Sequence, residues 1–120
     1  MQNESFLINI DLTPEYQRNL KYLAKKYRNI RSDTQLFITE LQQGNLLGDR
    51  LTGFGEDVYI YKARVKNSNI QKGKSAGYRI IYLRELETNI LLLTIYSKSE
   101  QEDITDNEIN FILEEFYRDE

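Results

Sequence analysis

A chain of 120 residues, 40% apolar and with a net charge of −3, has the size and composition of one folded domain spanning residues 1–120. It holds no cysteine and no histidine, which excludes disulfides, thiolate zinc sites, Ser–His or Cys–His nucleophiles and the usual imidazole base. No apolar run approaches the ~20 residues of a bilayer span, and the N-terminus lacks a basic-then-apolar secretion signal, so a cytoplasmic protein without membrane contact is expected.

The opening Ser5-Phe6-Leu7-Ile8-Asn9-Ile10 is short, apolar and rich in strand formers, and predicts a first strand. Thr13-Pro14 then supplies an N-cap and a residue suited to the first helical position. Tyr16, Leu20, Leu23, Ala24 and Tyr27 recur at three- and four-residue spacing, the mark of an amphipathic helix. A second helix is expected from Ser32 or Asp33 through Leu41, with Gly44 placed to end it in a left-handed conformation. The glycine-rich stretch from Gly48 to Gly55 reads as a loop.

Three strands follow, at about Val58–Lys66, Gly77–Glu85 and Asn89–Ser97; the last is unbroken and apolar, as a central strand should be. A final helix is expected from Thr105 or Asp106, with Ile109, Ile112, Leu113 and Phe116 on one stripe. The order β-α-α-β-β-β-α predicts an α+β domain: a mostly antiparallel four-stranded sheet, an N-terminal helix pair and a C-terminal helix.

Charge is divided along this order. Residues 1–56 balance, residues 57–98 carry +5, and residues 99–120 carry −8. A polyanion responds to local potential, so the middle block matters more than the sum. Within it, strand alternation puts Lys62, Arg64 and Lys66 on one face and Tyr61, Ala63 and Val65 on the other. Charged residues that protect a sheet edge from association would give the same row. The segment Lys72-Gly73-Lys74-Ser75-Ala76-Gly77 adds a basic, small-residue turn that leads straight to Arg79. Its amides and lysines could hold a phosphate beside the row, although the spacing and the following helix of a Walker loop are missing. The acidic tail reads as the solvated face of a terminal helix, or as a segment that folds near the basic sheet and lowers its potential.

The block Gly73-Lys74-Ser75-Ala76-Gly77-Tyr78-Arg79-Ile80-Ile81-Tyr82, followed by Leu92-Leu93-Thr94-Ile95-Tyr96-Ser97-Lys98-Ser99-Glu100, closely resembles RelE-family toxins, especially their HigB-like branch. The loop Gly48 to Gly55 is similar to the one before the family's basic strand, and the likeness covers roughly residues 36–105. The resemblance implies a toxin that enters the ribosomal A site and cuts messenger RNA there. It acts without metal or other cofactor, and a cognate antitoxin that covers the basic sheet neutralises it. It also implies that Lys62, Arg64, Arg79 and Lys98 are catalytic, and that Lys66, Lys72, Lys74 and Tyr96 bind RNA. Of these, Arg79 would hold the scissile phosphate with its planar fork. Lys62, among neighbouring cations, would be a better base than Arg64, whose guanidinium keeps its proton.

Two positions depart from the best-studied branch: Ser99 stands in place of an arginine, and Thr105 in place of a tyrosine. They leave room for two other readings, a ParE-like poison of DNA gyrase and a catalytically silent interaction module on the same scaffold. Of the remaining tyrosines that could stack on a base, Tyr78 and Tyr82 lie opposite Arg79 on their strand and are expected in the core.

Overall fold

The computed structural model describes residues 7–70 and 76–118. In chain order it consists of β1 (Asn9–Leu12), α1 (Pro14–Ala24), α2 (Ile30–Gln42), β2 (Asp49–Leu51), β3 (Tyr59–Val65), β4 (Tyr78–Leu86), β5 (Asn89–Ser97) and α3 (Asp106–Arg118). The strands form one sheet in the order β1-β5-β4-β3-β2, with β1 parallel to β5 and all other pairs antiparallel.

The α+β architecture and the helix order agree with expectation, but the sheet has five strands rather than four. The extra strand, β2, lies where a loop was expected, and it pairs Asp49, Arg50 and Leu51 with Lys62, Tyr61 and Ile60. Its backbone reaches β3 through Gly48, which has φ +98° and sits so close that a Cβ there would run into the Lys62 carbonyl oxygen. Only glycine tolerates both the left-handed turn and that approach. The first strand also lies later than expected, over Asn9–Leu12; residues 1–6, which include Ser5 and Phe6, fall outside the described part.

Helices cover both faces of the sheet. On one, Tyr16, Leu23, Ile30, Phe37 and Leu41 of the helix pair pack on Ala63, Val65, Tyr78, Ile80, Tyr82, Ile90, Leu92 and Ile95. On the other, Ile109 and Ile112 of α3 pack on Ile60, Ile81, Leu83, Leu91 and Leu93. Strands β4 and β5 are thus apolar on both sides, which explains the unbroken hydrophobic run of β5. Tyr78 and Tyr82 are fully buried beneath the helix pair, as expected.

Strand β5 is irregular near its middle. Ile81 pairs with Thr94 while the next residue, Tyr82, pairs with Leu92, so Leu93 is an extra residue on the β5 side. Such a bulge breaks strict alternation and re-aims the side chains beyond it. Leu92 and Ile95 consequently face the same helix pair although they are three residues apart. Tyr96 is turned to the α3 face, where it stands opposite Arg79. Thr13, the buried N-cap of α1, anchors the bulge: its hydroxyl donates to the Leu93 carbonyl at 2.6 Å and accepts from the Tyr16 amide at 2.9 Å.

The second helix begins at Ile30, two residues before Ser32. The Ser32 hydroxyl donates back to the Asn29 carbonyl, while the Asp33 carboxylate accepts from the amide and hydroxyl of Ser68. Helix α3 starts as expected, and Thr105 and Glu108 close it reciprocally: each amide donates to the other's side chain, at 2.9 and 3.1 Å. Among the described residues no helix is long and apolar enough to cross a membrane.

Candidate functional site

Because Ala63 and Val65 of β3 point into the helix-pair core, Lys62 and Arg64 point to the opposite face. Tyr78 and Ile80 fix Arg79 on that same face by the same reasoning. The register then aligns the cations. Arg64 pairs directly with Arg79, and Arg79 pairs directly with Tyr96, so Arg64, Arg79 and Tyr96 form one row across β3, β4 and β5. Lys62 stands two residues along β3 from Arg64 on the same face. Lys62, Arg64 and Arg79 thus lie on one face of the sheet, and the bulge at Leu93 adds a phenol hydroxyl to that face.

Burial is uneven along the row. Arg64 is exposed, whereas Arg79 is only 6% exposed, and its Nη1 donates to the Tyr78 carbonyl at 3.3 Å. Burial, with the Arg64 charge acting in the same sense, lowers the pKa of the Arg79 guanidinium, while Tyr96 and Asp103 oppose the shift. An arginine starts so high that it stays charged. Tyr96 is also walled in, at 5% exposure, so its hydroxyl rather than its ring face is what the site can use. Burial first, and the Asp103 charge second, push that hydroxyl up to about 12. It is therefore a neutral donor at physiological pH.

Asp103 is the residue that sequence reasoning did not single out. It lies in the segment between β5 and α3, and its Oδ1 accepts from Lys62 Nζ at 3.0 Å, from the Tyr96 hydroxyl at 3.4 Å and from the Ile104 amide at 2.8 Å. The bonds from Lys62 and from the Ile104 amide hold its carboxyl below the usual carboxylate range. The signal available in the sequence was the −8 tail set against the +5 block. Its side chain is 63% exposed and that of Lys62 is 32% exposed, so the pair contributes only about 0.2–1 kcal/mol to stability. Lys62 thus meets a carboxylate as well as the cations of its own strand.

The remaining expected residues are more peripheral. The Lys98 amide donates to the Gly77 carbonyl at 2.9 Å, and its ammonium donates to the Glu102 carbonyl at 2.7 Å, which ties down the segment carrying Asp103. Lys66 is exposed, one residue past the end of β3. Lys72 and Lys74 lie outside the described residues. Ser99 bonds with Ser97 and Tyr27, and Thr105 is committed to the α3 cap, so neither reaches the row.

Comparison with known families matches residues 20–115 to the RelE toxin of the RelE/RelB toxin–antitoxin system. The matched span contains all three strands of the cationic row, most of both flanking cores and the Asp103 segment. The chain belongs to the RelE toxin family of toxin–antitoxin systems.

Proposed function

We propose that the protein is a HigB-like, ribosome-dependent endoribonuclease that inhibits translation in the cytoplasm by cutting messenger RNA, and that a cognate antitoxin holds it inactive by covering the cationic face. The observation that carries this reading is the row Arg64–Arg79–Tyr96 with Lys62 beside it. A phosphodiester undergoing attack gathers charge on its non-bridging oxygens. Preorganised cations in a partly dehydrated site stabilise that charge far better than water does. Buried Arg79 is suited to grip the scissile phosphate through its fork, and exposed Arg64 to engage the same or the adjoining phosphate. Lys66 and Lys98 add positive charge just past the ends of β3 and β5, Lys72 and Lys74 belong to the same basic block of the sequence, and Tyr96 offers its hydroxyl as a donor.

In the reaction the 2′-hydroxyl oxygen of one nucleotide bonds to the adjacent phosphorus as the P–O5′ bond breaks. A proton leaves the 2′-oxygen and another reaches the 5′-oxygen. The products are a 2′,3′-cyclic phosphate and a 5′-hydroxyl. No step requires a metal, cysteine or histidine.

Induced expression of the wild-type chain should arrest growth and leave messenger RNA cut at codon-spaced positions. Arg79→Ala should relieve the arrest, since loss of one such anion-stabilising group costs about 10²–10³ in rate; Lys62→Ala should also relieve it. Arrest with intact messenger RNA and accumulated DNA breaks would overturn the reading in favour of gyrase poisoning. Growth without arrest would favour a silent interaction module.

A further inference from the structure

We infer that Asp103 is the general base of this site: its Oδ2 takes the proton from the attacking 2′-hydroxyl, while Lys62 and Tyr96 hold the carboxylate in place. The inference rests on the nuclease reading and assigns the proton transfer that reading leaves open.

Three features of the carboxylate carry it. First, Oδ1 is saturated, with donors from Lys62 on β3, from Tyr96 on β5 and from the amide of the next residue, Ile104. These come from different parts of the chain, so the group is fixed in position rather than swinging from a loop. Second, no hydrogen bond is made by Oδ2 among the described residues, and the side chain is 63% exposed, so one oxygen remains open to an incoming hydroxyl. Third, Tyr96, which donates to Asp103 Oδ1, is the direct cross-strand partner of Arg79, so the carboxylate reaches the row that carries the guanidinium suited to grip the phosphate.

A carboxylate whose purpose was to occupy the phosphate seat should engage the arginine fork; the ion pair Asp103 makes here is with Lys62. Asp49 stands opposite Lys62 in register but forms no ion pair among the described residues, and Glu108, whose charge Tyr96 also senses, accepts from Thr105 in the α3 cap. Asp103 is ionised at neutral pH, as a proton acceptor must be; the same bonds that hold its pKa low reduce its basicity, so its contribution comes from fixed position rather than from proton affinity. With no histidine in the chain, a carboxylate is the natural acceptor.

The step balances. The proton moves from O2′ to Asp103 Oδ2 as the O2′–P bond forms; the P–O5′ bond breaks and the 5′-oxygen takes a proton from water. Asp103 then returns its proton to solvent.

The test is single-turnover cleavage of messenger RNA on programmed bacterial ribosomes by the purified full-length chain, as wild type, Asp103→Asn, Asp103→Glu and Asp103→Ala. Asp103→Asn should lower the rate constant at saturating protein by about 10² or more, the usual worth of a positioned base. The concentration needed for half-saturation should stay the same or fall. Asp103→Glu should recover part of the rate. Added formate should accelerate Asp103→Ala at least ten-fold and do nothing for Arg79→Ala, a rescue that a purely structural role would not give. Cleavage by Asp103→Asn at or above the wild-type rate would overturn the inference and make Asp103 a counter-ion that competes with RNA. Failure of formate to rescue Asp103→Ala would equally overturn it. If the wild-type chain cuts and Asp103→Asn cuts equally well, only this assignment fails; if the wild-type chain does not cut at all, the nuclease reading fails first.

Discussion

Tyr96 shows how one side chain is set by three levels of structure. Its place on the cationic face follows from the bulge at Leu93, its neutrality from burial, and its orientation from the Asp103 carboxylate. Tyr16, Tyr78 and Tyr82 are buried in the helix-pair core, and desolvation raises their hydroxyls as well. These four share one linkage. A group whose folded pKa lies above its unfolded value contributes stability that is complete below the unfolded value, near 10, and is lost as pH rises through the folded one. We therefore expect stability to fall progressively from about pH 10 towards pH 12. Phenolate absorbance from these tyrosines should appear only with unfolding, as a cooperative step beyond that of the other tyrosines. A smooth non-cooperative titration of all the tyrosines, with the fold intact at pH 12, would contradict the packing described.

At the scale of elements, the bond from Thr13 to Leu93 is the most exposed to test. The hydroxyl both caps α1 and satisfies a carbonyl of the bulged residue, so its loss removes an N-cap and leaves a buried acceptor unpaired. Thr13→Val should cost about 2 kcal/mol, or roughly 8 °C in Tm. Thr13→Ser should restore most of it, as read by thermal unfolding.

Some elements were legible in the sequence and others were not, for identifiable reasons. Strand β5 and helix α1 carry their own signals, an apolar run and a Thr-Pro start with helical spacing, and both formed where expected. Strand β2 carries none: its three residues are polar or isolated, and they are extended because β3 offers an edge and Gly48 permits the approach. The start of α2 was misplaced because Ser32 and Asp33 look like caps but bond elsewhere. In the site, alternation alone put Lys62 and Arg64 on one face. The pairing of Arg64 with Arg79 depends on hairpin register, the aim of Tyr96 on a bulge, and the arrival of Asp103 on a contact 41 residues away in sequence. None of those three leaves a local trace.

For the whole molecule, the division of charge takes on spatial meaning. The acidic segment does not fold away from the basic block: α3 packs on the sheet face that carries the cations, and Asp103 reaches the row itself. The modest negative sum of the chain therefore describes neither the field at Arg79 nor the kind of partner this face can take. An interface built on phosphates should weaken steeply with salt, because each neutralised phosphate releases counter-ions.

The most direct measurement is to map the ends of messenger RNA recovered from programmed ribosomes after treatment with the wild-type chain and with Arg79→Ala. The account predicts discrete cuts ending in a 2′,3′-cyclic phosphate with wild type and at least a hundred-fold fewer with Arg79→Ala. Intact message under wild-type protein, or equal cutting by both proteins, would contradict it.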